Sequence, residues 1–492
     1  MSTHLSRLQR LHAPTATHAE LLEVGRAERG DVPRSAHAEY RTGDRDPLVI
    51  LAEQNATRVP SLVPLRMGRM LANPFTFYRG TAAIMAADLA RNASTDIPVV
   101  ACGDAHISNF GFFASPQRSL VFDLNDFDEA APAPWEWDLK RLLTSVVVSG
   151  QHSRFAEADI RSAALGAARV YRESINALMS SDALRRYYSL ADIETIRAQV
   201  GKEGRKILTK AARQAERRTS AAYVEKITSR AADGTRVLIE NPPVLTHVPE
   251  ASETDIEALF EQYRESVPKD VAHLLSQFTL TDLAMRVVGV GSVGTRCFIL
   301  MLTGPNRESL VLQIKEAPMS VLQRYGGIAP DAVPSADWTV GAGLIGGGEI
   351  DALTHVPNEG RRVVGNQRIL QAVSDPFLGF LRSTGKLGAT DDATHHDFYV
   401  RQFRDKKGSI DPETLNPAAF TTYVEGCAIL LARAHAQSAN ASAVAGYLGR
   451  SDRFDRAVVE WSFGYAAQSL RDFERLRDAA ESGEVEVVLE ER

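Results

Sequence analysis

The sequence predicts an α+β protein in two lobes, one mainly helical and one rich in strands. Three observations carry this. From Pro47 to about residue 280, apolar residues recur at three- and four-residue spacing, interrupted by short apolar runs around Val99 and Val121. From residue 281 to 412 the runs become β-branched and hairpin-like, and from 413 helical spacing returns. At 492 residues the chain also exceeds what one core normally holds. The expected division is a loosely attached leader over 1–45, a helical lobe over 46–280, a β-rich lobe over 281–412, and C-terminal helices over 413–492 that complete the first lobe.

The elements follow in order. Residues 1–45 are polar, rich in His and Arg, and contain turn formers such as RTGDRDP. PLVILAEQN through AAIMAADLARN reads as short helices. IPVVACGD and SLVFDLND read as short buried strands, and APAPWEWDLKRLLTSVVVSG as a helix with Pro134 in its first turn. Trp135 and Trp137 fall near that helix's apolar stripe and are expected in the core. Lys202 to Arg230 reads as one long helix with a solvated basic face. MRVVGVGSVGTRCFILMLTG and SLVLQIKEA form a hairpin pattern. A Gly-rich connector, GAGLIGGGE, comes next, then a helix at GRRVVGNQRILQAVS, a strand at DFYVRQFRDKKGS and a clear helix at AAFTTYVEGCAILLARAHAQSA. The acidic end, from Leu476 onward, is expected to fray.

Composition narrows the function classes. A hydrophobic share of 44% with 24% charged residues is that of an ordinary globular protein. The net charge of −6 gives no general attraction to nucleic acid or anionic membrane, and no aromatic ladder interleaves the basic run. Three cysteines, Cys102, Cys297 and Cys427, at long spacing fit neither a disulfide framework nor a zinc site. The expected compartment is a reducing cytoplasm, with no membrane span.

Chemistry concentrates in two stretches. VVACGDAHISNFGFFASPQRSLVFDLNDFDEA gathers Asp104, His106, Asn109, Asp123, Asp126 and Asp128 between strand ends. Carboxylates so placed repel one another and lose water at a cost, so they usually surround a cation or a proton-transfer task. The plain alternative is an Asx-rich turn. The second stretch, Gly289-Val290-Gly291-Ser292-Val293-Gly294, is a G-x-G-x-x-G flanked by strand patterns on both sides, unlike a dinucleotide fingerprint, which opens a helix. Bare backbone there can approach phosphate oxygens. Lys315 follows 21 residues after Gly294 inside an apolar strand, as an anion-gripping lysine or an edge lysine reaching water.

Gly103-Asp104-Ala105-His106-Ile107-Ser108-Asn109 resembles the catalytic loop of aminoglycoside-kinase-like phosphotransferases, and Asp126-Phe127-Asp128 resembles their second metal motif. Asp138, twelve residues beyond Asp126, stands where those enzymes brace the catalytic loop. The resemblance implies Asp104 as catalytic base, Asn109 and Asp126 as magnesium ligands with Asp123 as an alternative, and Gly289, Gly291, Ser292, Gly294 and Lys315 on ATP. It leaves His106, Asp128 and Asp138 as supports, His106 through hydrogen bonds. Asp123 should point away from Asp126 if its strand is regular. Because the glycine loop follows the catalytic loop, and ILLARAHAQSA resembles the helix that normally precedes it, the resemblance implies a circularly permuted kinase-like fold.

The stretch from about Arg58 to Gly449 also resembles the bacterial family known as domain of unknown function 2252, through LVPLRMGRM, PFTFYRG, CGDAHISNFG, FDLNDFDEA, PWEWDLKRL, VVGVGSVGTRC, VVGNQRILQ, FYVRQFRDKKGS and LARAHAQS. That name carries no substrate. Cys102 replaces the usual His before Gly-Asp, and VVGNQRILQ lacks the Glu that should pair with Lys315, leaving Glu359, Gln367 and Gln371 as candidates. The expectation is an ATP- and magnesium-dependent phosphotransferase acting on a small molecule or a protein. The alternatives are a nucleotide-binding pseudokinase, a nucleotidyltransferase on the same fold, and a metallophosphoesterase, for which further His and Asp ligands are missing.

Overall fold

Residues 17–188, 202–230, 236–328, 358–383 and 395–489, except 243, 248–252, 288, 290 and 404, are described by a computed structural model. The chain is mixed α+β. Among the described residues twelve strands follow in chain order: β1 (Pro98–Ala101), β2 (Phe110–Ala114), β3 (Leu120–Leu124), β4 (Ala131–Pro134), β5 (Thr228–Arg230), β6 (Arg236–Leu238), β7 (Leu245–His247), β8 (Thr279–Arg286), β9 (Cys297–Thr303), β10 (Ser309–Glu316), β11 (Gly379–Ser383) and β12 (His396–Gln402). Six of them make one antiparallel sheet in the order β11-β12-β10-β9-β8-β7. The others pair as short ribbons, β1 with β4, β2 with β3 and β5 with β6.

The six-stranded sheet has its own core. Alternate residues Phe298, Leu300, Leu312, Ile314, Phe398 and Val400 are buried on one face, against Tyr263 and Leu275 of the Glu253–Ser266 and Lys269–Leu275 helices. The sheet therefore begins before residue 281, the predicted boundary, because β7, β8 and these two helices complete it. Gly-Pro-Asn-Arg-Glu turns β9 into β10, as the hairpin pattern predicts. The connector GAGLIGGGE lies outside the described residues. Glu359–Leu370 is the predicted helix, started by Asn358, whose side chain accepts from Arg361 N at 2.9 Å.

A larger core unites the helices with the β1/β4 and β2/β3 ribbons. Its main wall is the Trp135–His152 helix, buried along nearly its whole length. Pro134 ends β4 and caps this helix instead of entering its first turn, while Glu136 and Asp138 occupy that turn, where carboxylates suit the helix dipole. Trp135 stacks on Tyr171 and Trp137 is buried, as expected of core tryptophans. The Pro417–His435 helix packs on the Glu157–Met179 helix, and Asn416 caps it by accepting from Ala419 N at 2.9 Å.

Three expectations are corrected. The described part of the leader, 17–45, is not loosely attached: a Thr17/Glu20 capping box starts the His18–Asp31 helix, and Arg29 Nε donates to the Tyr447 carbonyl at 2.9 Å. His37 is fully buried against Tyr447 and Phe454. The basic run is two helices, Lys202–Arg217 and Ser220–Ile227, because the Thr219 side chain accepts from Ala222 N and starts a new one. The acidic end does not fray at once; the Arg453–Glu481 helix is followed by a segment in which Val488 N donates to Pro64 O at 2.9 Å.

Candidate functional site

The segment after β1 turns at Gly103, whose φ of +80° suits glycine and whose Cβ, if present, would strike the Glu129 carbonyl. Asp138 holds this turn from beneath. Its carboxylate accepts from Cys102 N at 2.6 Å, Gly103 N at 2.8 Å and His435 Nε2 at 3.0 Å, while Tyr171 Oη meets the other ring nitrogen of His435 at 2.7 Å. With the carboxylate on Nε2, the imidazole carries its proton there and Nδ1 accepts from the tyrosine. Asp104 then faces a cavity of about 100 Å³. Arg141 Nε donates to it at 2.8 Å; burial still pushes the Asp104 carboxyl above the ordinary carboxylate range, against the pull of Arg141.

Asp126 and Asp128 also line this cavity. Asp128 accepts from Lys315 and, at 2.7 Å, from Tyr399 Oη; Asp126 lies 3.7 Å from the same ammonium and is the most exposed of the three aspartates, at 39%. Lys315 and Tyr399 are directly opposite in the β10/β12 register. Burial opposes ionisation of Asp126, yet the charges of Lys315, Arg401 and Lys407 outweigh it and hold the group below the usual range. Burial and the Asp126 charge push Asp128 the other way. Lys315 is only 3% exposed on a strand flanked on both sides, so it is not an edge lysine reaching water.

The glycine loop joins β8 to β9 and closes over the cavity. Gly291 and Ser292 line it, and Gly289 and Gly294 take φ of +73° and +86°. Val290 lies outside the described residues. Backbone carbonyls of the loop are latched from the 58–69 segment: Arg58 donates to Val293 O at 2.5 Å, Val59 N to Gly294 O at 2.8 Å, and Arg69 to Gly289 O at 2.6 Å.

Other expected site residues stand elsewhere. Asp123 is fully buried behind β3, where it accepts from Leu124 N at 2.9 Å and Ala372 N at 3.0 Å and faces Arg433, so it does not share the cavity with Asp126; strand alternation sends it away. Asn109 is buried and gives its amide nitrogen to the Asp104 carbonyl, bracing the loop. His106 does not brace it through its ring: Nδ1 has no hydrogen-bond partner among the described residues, Nε2 stops 3.8 Å from Asp104, and burial pulls the imidazole well below its ordinary value. Its backbone does so, accepting from Asn109 N at 2.8 Å. Glu359, Gln367 and Gln371 all miss Lys315. Glu359 pairs with Arg362, Gln367 donates to Gln371, and Gln371 donates to the Leu124 carbonyl. The Glu359 helix instead grips the backbone after the aspartates, through Arg362 to Asp128 O at 2.9 Å and Asn366 to Ala130 O at 2.8 Å.

Sequence reasoning missed Glu129, Tyr399 and Arg141. Glu129 lines the cavity, accepts from Val321 N at 2.7 Å and is pushed up to about 7 by burial. Its place directly after Asp126-Phe127-Asp128 was the available signal. Among the described residues no group of three or more His, Cys, Asp or Glu is set to hold a metal by itself.

A family model described as an uncharacterized protein conserved in bacteria, DUF2252, matches residues 58–337 and 350–479. The chain belongs to this family. The matched span covers the three aspartates, the glycine loop and Lys315, so the cavity lies within the family's domain. No curated protein and no solved structure matches the chain. No described helix is long and apolar enough to cross a membrane.

Proposed function

We propose that this protein is an ATP- and magnesium-dependent phosphotransferase with a bilobal, circularly permuted kinase-like fold, acting on a small-molecule or protein acceptor. One observation carries the reading: Asp104, Asp126 and Asp128 line the same cavity as Gly291 and Ser292, and Lys315 bonds to Asp128 across 187 residues of chain. Phosphoryl transfer needs these parts together, a carboxylate for the acceptor, oxygens for a metal, and backbone plus lysine for the phosphates. The order within the sheet supports it, with the glycine loop between the first two strands of the β8-β9-β10 meander and the lysine on the third. The permutation is supported by the Pro417–His435 helix and the residues after it: His435 reaches Asp138, and Ser438 Oγ accepts from Val100 N at 2.9 Å on the strand that leads into Gly103.

In this reading Asp104 orients or deprotonates the acceptor, and Asp126 would hold magnesium, with Asn109 able to add its side-chain oxygen because its amide nitrogen is already on the Asp104 carbonyl. The exposed Asp126 carboxylate suits a cation that takes one or two protein oxygens and completes its shell with phosphates and water. Bound magnesium would neutralise phosphate charge. One observation favours the pseudokinase alternative: no acid of the Glu359 helix reaches Lys315. The phosphoesterase reading loses support because it needs His106 as a ligand, and that ring is buried, with Nε2 no nearer than 3.8 Å to Asp104.

Titration calorimetry with an ATP analogue and product analysis from labelled ATP test this. Asp126→Asn should weaken magnesium-dependent nucleotide binding, whereas Asp104→Asn should bind normally and lose transfer. If both variants bind normally and Asp104→Asn transfers at the full rate, the reading is wrong.

A further inference from the structure

The cavity contains cations that the motifs do not account for. Arg58, Arg66 and Arg79 all line it, and all three come from one stretch of 22 residues before β1. Among the described residues none of them has a carboxylate at ion-pair distance. Arg58 donates to the Val293 carbonyl, and Arg66 to Asn55 Oδ1 at 2.7 Å, Gln54 Oε1 at 3.2 Å and the Gly80 carbonyl at 3.2 Å. Among the described residues Arg79 donates no side-chain hydrogen bond. The Nε of each is sealed from solvent without a partner.

Such guanidinium groups are costly, because each has given up water without receiving a counter-charge. Burial pulls all three below the ordinary arginine range, Arg58 to about 10, although Glu129, Glu316 and Asp128 oppose it at Arg58, and Asp104 and Asp126 at Arg79. Arg66 is fully buried, and Arg79 lies within electrostatic reach of both Asp104 and Asp126. The tip of the glycine loop rests on the same stretch, since a Cβ on Gly291 would touch the Arg79 carbonyl at 3.4 Å. The cavity of about 100 Å³ takes a phosphoryl-sized group more readily than a nucleoside, whose sites begin at roughly 300 Å³.

We propose that Arg58, Arg66 and Arg79 form a metal-independent anion subsite for one terminal phosphate group, opposite the Asp104 and Asp126 carboxylates. The phosphate belongs either to the nucleotide or to a phosphorylated acceptor. Planar guanidinium groups are suited to phosphate oxygens, and a bound phosphate would supply the missing counter-charge. The subsite enlarges the phosphotransferase reading but depends on neither magnesium nor transfer.

The test is calorimetric titration of the full chain with inorganic pyrophosphate and orthophosphate in EDTA. Wild type should bind one equivalent, and Arg79→Met should bind roughly tenfold or more weakly, as loss of one charge-assisted contact implies. Arg79 donates no side-chain bond, so its removal spares the fold; if Arg79→Met nevertheless unfolds, Arg79→Gln replaces it, and Arg79→Lys should retain part of the affinity. Displacement of pyrophosphate by an ATP analogue assigns the group to the nucleotide, and binding beside the analogue assigns it to the acceptor. Absence of binding in EDTA, or equal affinity in a folded Arg79→Met, overturns the subsite and leaves the Asp104 and Asp126 tests standing. Arginine-dependent binding in a protein that never transfers phosphate would support the subsite and sink the phosphotransferase reading.

Discussion

Replacing Asp138 by alanine should unfold the protein at markedly lower denaturant, because one carboxylate satisfies three buried donors. Oδ2 accepts from Cys102 N and His435 Nε2, and Oδ1 from Gly103 N, with the residue 1% exposed. Each buried donor left unpaired costs about 1–3 kcal/mol, so three give roughly 3–9 kcal/mol before relaxation, and about 3–5 kcal/mol is expected once the loop shifts. Asp138→Asn keeps the shape, yet its NH₂ must face an N–H whichever way it turns, so about 2–4 kcal/mol should be lost. Urea unfolding with matched slopes measures both losses. The Asp138→Ala/His435→Ala double variant should be less damaged than the sum of its parts, since both changes remove the same bond. An Asp138→Ala midpoint corresponding to a loss under about 1 kcal/mol, or strict additivity, would refute the reasoning.

Lys315→Met should itself be destabilising, by about 1–3 kcal/mol, because it leaves the Asp128 carboxylate without its cation beside the more exposed Asp126; adding Asp128→Asn should restore part of the midpoint, and no rescue would contradict the ion-pair account. Glu129 titrates at about 7 in the fold, above its ordinary 4.5, so its contribution is fully present below pH 4.5 and is lost as pH rises to 7. Glu129→Gln should therefore gain on wild type across that window in thermal unfolding, and parallel curves would disprove the assignment. The thiols of Cys102, Cys297 and Cys427 are fully buried and raised by burial, so thiol reagents should label none in the native protein and all three in denaturant.

Much of the site could be read from spacing. Asp104, Asp126 and Asp128 lie within one ribbon and its turns, so their convergence is local, and strand alternation already set Asp123 apart. The partner of Lys315 was illegible because it lies in a different module, and the helix expected to supply an acid supplies Arg362 to the aspartate backbone instead. The arginine wall was illegible for the same reason. Arg58 meets the glycine loop 235 residues away, and no periodicity within either stretch encodes that landing. The ordered leader, by contrast, announced itself in Thr17-x-x-Glu20, a capping box whose pattern is local even though its docking on Tyr447 is not.

The bond from His435 to Asp138 also fixes when the site can exist during synthesis. It closes a chain interval of 297 residues, so the turn at Gly103 emerges from the ribosome long before its support does. Until the Pro417–His435 helix is made, Asp138 lacks one donor and β1 lacks the cover of Ser438. A nascent chain of this protein is thus held without its finished site for most of its translation. At roughly 5–20 residues per second that interval lasts on the order of 15–60 s, a period in which the exposed ribbons depend on chaperones or on the helices around them.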